Sequence, residues 1–298
     1  MTDHRVKNGR SESVSFDLSA IWTLLRIRNQ YGTLLVLMPA LWSLFIASEG
    51  RPDTVLLFIV IFGAFLMRSA GCAINDIADR NFDSHVERTK NRPLASGKLT
   101  PVQGIIIFLS TVLAAALLTI YLNRLAIILS VVCLLFVIIY PFTKRLVSFP
   151  QLFLGIAFGW GSVIVWAAVR NEVALTAFLI FLSTVTWAVA YDTVYAMMDI
   201  SDDLKIGVKS TAILFGKNVK TAVAALFCST LTLLVWVGIL SDLNGPYFFS
   251  LILCGIIFFR QVYYTEPGMK KDVALNCFRS NVAAGCIILA GIALDYLV

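Results

Sequence analysis

Nine stretches of continuous apolar residues alternate with short polar connections along the chain. The pattern predicts spans at residues 31–48, 54–74, 102–121, 125–140, 149–169, 173–197, 219–240, 246–264 and 279–298. Most run to about 17–25 residues, enough for a helix to cross a hydrocarbon core of roughly 30 Å. A transmembrane barrel would show shorter segments of alternating polarity. These runs do not alternate. Helices, whose backbone hydrogen bonds close internally, are what lipid then permits. The connections leave no room for a separate soluble domain. The expected fold is an all-α membrane protein of about nine helices, bundled around a central lipid-accessible cavity. Residues 21–298 are expected to form one transmembrane domain. The polar stretch 1–20 is expected to precede it as a flexible cytoplasmic segment, too long and too mixed in charge for a cleaved signal peptide.

Composition agrees: 59% of the 298 residues are hydrophobic and only 14% are charged, against about 25% in soluble domains. Mean hydropathy is +0.84. The six cysteines form no CxxC pair and read as small core-filling residues, so neither a zinc site nor a disulfide framework is expected. Trp22 and Trp42 are expected at the lipid–water interface.

Charge then sets an orientation. With the N-terminus inside, 20 of the 24 Lys and Arg residues fall on cytoplasmic segments. Only Arg51, Arg124 and Arg170 fall outside, and Arg68 lies within a span. The positive-inside rule therefore predicts a cytoplasmic N-terminus and an opposite C-terminus. The net charge of +6 sits where anionic headgroups are, and no nucleic-acid partner is implied.

The acids are concentrated in two places. "NDIADRNFDSHVERTKNRPLASG", residues 75–97, follows the second span. Its Asn75, Asp79 and Asp83 are spaced i, i+4, i+8, which puts them on one face if the helix continues past the membrane. Arg68 lies on the same face, one heptad deeper, where a charge inside a span usually marks function. "YDTVYAMMDISDDLKIGVKSTAILFG", residues 191–216, follows the sixth span, and its Asp192, Asp199 and Asp203 also share a helical face if that helix continues. Each acidic stretch is followed by a basic, glycine-ended loop, a weak internal repeat. Facing carboxylates repel unless a cation lies between them. Hard oxygen ligands suit magnesium, which binds through a few carboxylates completed by phosphate oxygens and water. Nearby Lys and Arg side chains pair with phosphate. The residues alone thus point to a divalent-metal and diphosphate pocket with its polar mouth on the cytoplasmic side, suited to an amphiphile whose tail lies in the bilayer.

These two stretches resemble the paired Asp-rich signatures of the UbiA superfamily of intramembrane aromatic prenyltransferases. The second resembles the form found in the 4-hydroxybenzoate polyprenyltransferases of ubiquinone synthesis. "YPFTKR", residues 140–145, is similar to a further family element, expected on the loop after the fourth span. "RIRNQYGTLL" departs from the family by carrying Asn29 and Gln30 where relatives commonly have Lys-Pro. The resemblance implies magnesium-dependent transfer of a polyprenyl group from polyprenyl diphosphate to the ring carbon ortho to the hydroxyl of 4-hydroxybenzoate. It implies metal binding by Asn75, Asp79, Asp83, Asp199 and Asp203. Tyr140, Lys144, Arg145 and Asp192 are implied at the chemistry, with Asp192 a candidate base. Arg68, Arg92 and Lys209 are candidate substrate contacts. A bacterial or mitochondrial inner membrane is the expected location, with lipid around the protein and no obligate protein partner. The alternatives are another acceptor, such as a naphthoate or haem, and a cation-coupled transporter. Transporter sites lie near the bilayer midplane, whereas most of these acids lie at its rim.

Overall fold

The computed structural model describes residues 17–298 and is helical throughout. Most of the segment expected to be flexible, residues 1–16, lies outside the described residues. Residues 18–20, assigned to that segment, instead open the short helix α1 (Leu18–Leu24), whose N-cap Asp17 accepts from the Ser19 and Ala20 N–H groups. The remaining helices are α2 (Tyr31–Ala47), α3 (Thr54–Asp83), α4 (Pro101–Thr119), α5 (Arg124–Leu146), α6 (Pro150–Arg170) and α7 (Leu175–Ala196). Two short helices follow, α8 (Ile200–Ile206) and α9 (Thr211–Phe215), then α10 (Val219–Leu240), α11 (Gly245–Tyr264) and α12 (Lys271–Asp295). Among the described residues, eight helices are long and apolar enough to cross a membrane, and α2 is apolar but has 17 residues. All nine expected spans are therefore helices, with α2 at the short limit for a crossing.

The helix starts follow local chemistry. Asp53 caps α3 through the Leu56 N–H at 2.8 Å, and Asn123 caps α5 through the Ala126 N–H at 2.9 Å. Thr100 and Gln103 close a reciprocal capping box on α4. With 30 residues, α3 is about 45 Å long at 1.5 Å per residue, well beyond the hydrocarbon core. This is the projecting helix that the i, i+4, i+8 acids require.

Two expectations about local structure fail. Tyr140 to Arg145 are not a loop: they form the last turns of α5, which runs through Pro141. A membrane helix tolerates a proline because neighbouring helices satisfy the freed carbonyl. Asp192, Asp199 and Asp203 are not on one continuous helix, since α7 ends at Ala196 and α8 begins at Ile200. Asp199 becomes the residue before α8, its carbonyl accepting from the Asp202 and Asp203 N–H groups. Acids favour such a first turn, where the helix dipole suits negative charge.

Small residues bring the helices together, as expected where lipid competes with apolar packing. A side-chain carbon added at Gly155 of α6 would lie 2.9 Å from the Val185 carbonyl of α7; at Gly159 it would lie 3.0 Å from the Phe181 carbonyl. Trp42 is not interfacial. It is buried, stacks on Trp187 with ring centroids 5.4 Å apart, and donates its indole N–H to the Gly285 carbonyl. Trp22 is exposed. Trp187 in turn donates to Asn281, which donates to Gln261, so these polar groups are paired. Outward stripes such as Ile105, Leu109, Leu113 and Leu117 on α4 supply the lipid-facing surface.

Candidate active site

One polar cavity of about 310 Å³ opens at the end of the bundle where α3 projects. Asn75, Asp79 and Asp83 reach it from α3, Asp192 from α7, and Asp199 and Asp203 from the α7–α8 junction. Tyr140 and Lys144 enter from α5, Arg68 from α3, and Arg88 and Arg92 from the segment after α3. Two regions 120 residues apart in sequence thus share one chamber, even though the second is a broken helix.

Basic side chains hold the acids in pairs. Asp79, 1% exposed, contacts the Lys144 ammonium, and Arg145 Nη2 lies 3.5 Å from its other oxygen. Arg92 Nη1 lies 2.8 Å from Asp83. Arg88 Nη2 lies 2.6 Å from Asp199. Arg145 also packs over the Phe82 ring at 4.5 Å. Asp203 makes no ion pair among the described residues. Burial, and then the neighbouring Asp199 carboxylate, push its pKa up to about 7.

Asp76 plays a different part. It is 1% exposed and, displaced about 100° around the helix from Asn75, sits behind the cavity wall. Arg26 Nη2 donates to both its oxygens at 3.0 and 3.1 Å, and Arg92 reaches it at 3.1 Å. The buried acid therefore anchors two arginines that line the cavity. Arg26 adopts φ 56, a left-handed conformation uncommon for a non-glycine residue. Sequence reasoning did not single out Arg26, Arg88, Tyr195 or Gln151. Gln151 lines the chamber beside Asp192 and accepts from the Thr211 N–H at 2.9 Å, tying α6 to α9. The Lys209 side chain lines the cavity but donates its ammonium to the Leu146 carbonyl at 3.0 Å, capping the end of α5.

Arg68, Tyr140, Leu154 and Phe158 also line a second cavity of about 250 Å³, otherwise almost wholly apolar. It runs between α2, α3, α4, α5 and α6 from Tyr140 to Leu56, Leu122 and Ala168. Along α3 this is the distance from Gly71 to Leu56, about 22 Å. A charged chamber thus joins an apolar channel at four shared residues.

Among the described residues, no three acidic, His or Cys side chains cluster closely enough to cage a metal on their own. The donor set nonetheless fits magnesium. It offers hard carboxylate oxygens from two sides of one chamber, a geometry that phosphate oxygens complete. The lysine and arginines now pairing those acids supply the matching phosphate contacts.

The sequence matches the UbiA prenyltransferase family over residues 36–282. It is 48% identical over 273 residues to a 4-hydroxybenzoate octaprenyltransferase of Tolumonas auensis, covering 92% of this chain and 95% of the relative. It is 47% identical over 274 residues to the protein of the same name from Psychromonas ingrahamii, with the same coverage. The fold is shared with an apo UbiA homologue from Aeropyrum pernix K1, at TM-score 0.77 and 24% identity over 88% of this chain and 97% of that one. It is also shared with a UbiA homologue from Archaeoglobus fulgidus bound to GPP and Mg2+, at TM-score 0.65 and 14% identity over 94% of this chain and 100% of that one. The chain belongs to the UbiA prenyltransferase family.

Proposed function

We propose that this protein transfers a polyprenyl group from polyprenyl diphosphate to the ring carbon ortho to the hydroxyl of 4-hydroxybenzoate, releasing diphosphate, in ubiquinone synthesis. The observation that carries this reading is the junction itself: a chamber of paired acids and bases opening into an apolar channel through Arg68, Tyr140, Leu154 and Phe158. An amphiphile with a diphosphate head and a prenyl tail matches both halves. The names of relatives at 42–48% identity favour 4-hydroxybenzoate over a naphthoate or haem as acceptor.

Asp79, Asp83, Asp199 and Asp203, with Asn75, are the residues that would hold magnesium. Bound magnesium supplies neutralisation of the charge that builds on the departing diphosphate. Lys144, Arg88 and Arg92 contact the same head group, releasing their carboxylates as phosphate oxygens take their place, while Arg145, which is not among the lining residues, stays behind Asp79. The diphosphate leaves C1 of the tail at the junction, and the ring carbon ortho to the hydroxyl bonds to C1. The ring proton then departs, and Asp192 accepts it. Tyr140, which lines the same chamber, orients the ring and helps exclude water from the allylic cation. Arg68 takes the acceptor carboxylate. The apolar channel holds the tail.

The protein works as one unit from α1 onward, with the site and N-terminus facing the cytoplasm and the C-terminus opposite. A bacterial inner membrane suits the charge distribution. The test is direct. Purified protein in lipid, given magnesium, a polyprenyl diphosphate and 4-hydroxybenzoate, yields a 3-prenylated product by mass spectrometry. Absence of product from folded protein refutes the proposal, as does full activity in Asp79→Asn or Asp199→Asn.

A further inference from the structure

Arg68 differs from the other arginines of the chamber. Arg26, Arg88 and Arg92 are each held by a carboxylate. Among the described residues, no carboxylate lies within ion-pair distance of Arg68. Its Nε is buried without a hydrogen-bond partner, and Nη1 contacts only the weakly accepting Cys72 sulfur. It is also the only charged side chain among the described residues lining the apolar channel. Asp192 shares the chamber and tempers this charge from beyond ion-pair distance, which leaves the guanidinium fork itself open to an arriving anion.

Gly32, in the first turn of α2, determines where that guanidinium lies. A side-chain carbon built at residue 32 would fall 2.5 Å from Arg68 Nε, 2.7 Å from Nη2 and 3.0 Å from Cζ. The guanidinium therefore occupies the space that any other side chain would take. On its other side it lies 5.9 Å from the centre of the Phe158 ring. The backbone at Gly32 is not in the left-handed region, so conformation gives no reason for glycine there. Helix propensity argues against glycine as well. What remains is the space.

We propose that Gly32 is a specificity-determining residue for the acceptor: by having no side chain, it seats the Arg68 guanidinium against α2, where its fork meets the carboxylate of the aromatic substrate. This rests on the aromatic prenyl transfer proposed above. Gly32 acts through Arg68 and is a positioning residue. The obstacle an alanine would meet is the flexible end of a side chain, so Gly32→Ala moves Arg68 and leaves the bundle folded.

The experiment compares wild type, Gly32→Ala and Gly32→Ser in lipid nanodiscs with magnesium and geranyl diphosphate. The acceptors are 4-hydroxybenzoate and the neutral 4-hydroxybenzamide. In Gly32→Ala, KM for 4-hydroxybenzoate rises about tenfold or more, the loss expected when a charged hydrogen bond is broken. KM for geranyl diphosphate stays within about twofold and the melting temperature does not fall. The wild-type preference for the acid over the amide shrinks by the same factor, and Gly32→Ser behaves like Gly32→Ala. An unchanged KM for 4-hydroxybenzoate in both variants, with wild type active, overturns the inference while leaving the reaction intact. A rise in KM for geranyl diphosphate alone also overturns it, assigning Arg68 to the leaving group. A wild-type protein inactive on 4-hydroxybenzoate overturns the proposed reaction, and this inference with it.

Discussion

Arg88 grips Asp199 across the mouth of the polar chamber, with Nη2 2.6 Å and Nε 3.1 Å from the same carboxylate oxygen. The guanidinium also lies 5.4 Å from the centre of the Tyr195 ring and donates to its hydroxyl at 3.2 Å. The segment after α3 is thus tied to the end of α7 before any ligand arrives. A prenyl diphosphate entering with one divalent cation still carries a net negative charge as a unit. It lets Arg88 exchange a carboxylate for a phosphate without stranding either charge.

That exchange makes Arg88 a test of head-group binding. Arg88→Ala is expected to lower kcat/KM for the prenyl diphosphate by about 10- to 100-fold, corresponding to roughly 1.5–3 kcal/mol for charged hydrogen bonds. Arg88→Lys is expected to recover only part, because it cannot form the two-pronged contact. Steady-state kinetics with each substrate varied in turn gives the answer.

If magnesium binds as proposed, Asp203 makes that binding depend on pH. Its carboxyl is pushed up to about 7 by burial and by Asp199, so in metal-free protein it is protonated below that value. Magnesium needs the carboxylate, so binding competes with a proton. Apparent magnesium affinity should fall about tenfold per pH unit below 7, and level off above it. The stability sign runs the other way in metal-free protein. A raised acid favours the fold while it is protonated, so this contribution is lost as pH rises from about 4 towards 7. Asp203→Asn should flatten both profiles. Magnesium titrations from pH 6 to 8, and melting curves in chelator, measure them.

In the proposed reaction the apolar channel holds the prenyl tail, so its open length bears on chain preference. Gly71 lines it, and a carbon added there would meet only Val137, at 3.8 Å. Gly71→Leu therefore enters open space rather than a packed contact. Turnover of long-chain diphosphates should fall about tenfold or more, with dimethylallyl diphosphate much less affected. Product analysis from mixed chain lengths checks this ratio.

The α6–α7 contact is a stability test away from the chemistry. Gly155→Val forces a branched side chain against the Val185 carbonyl, already 2.9 Å from a single added carbon. Overpacking of this kind costs about 1–3 kcal/mol. The melting temperature should drop, while KM values of the surviving folded fraction stay near wild type.

Much of the fold was legible because lipid leaves few choices. Long apolar runs gave the spans, and acids at i, i+4, i+8 gave the extension of α3. What periodicity could not foresee was interruption and exception. Asp199 starts a new helix instead of continuing α7, since its carbonyl is taken up by Asp202 and Asp203. Tyr140 to Arg145 stay helical through Pro141, which in a soluble chain would argue for a break. Asp76 is one position from Asn75 and so reads as part of the same acidic run. Only the packing reveals that it faces away and anchors Arg26 and Arg92. Arg26 carried no usable signal, because its partner lies 50 residues away across a turn of unusual backbone. Gly32 was not singled out from the sequence, where the departure from the family pattern falls on Asn29 and Gln30, and its consequence for Arg68 needed three dimensions.

The length of α3 has a bearing on how the reactants meet. Leu56 at the channel's far end, Arg68 at the junction and Asp79 in the charged chamber all ride on one unbroken rod. The depth of the reacting centre is then measured from the backbone itself, like a mark on a ruler, whatever the loops do. A greasy donor need never be lifted out into water, nor a small acid carried into oil: each stays in its own phase, and the rod fixes where the two phases touch.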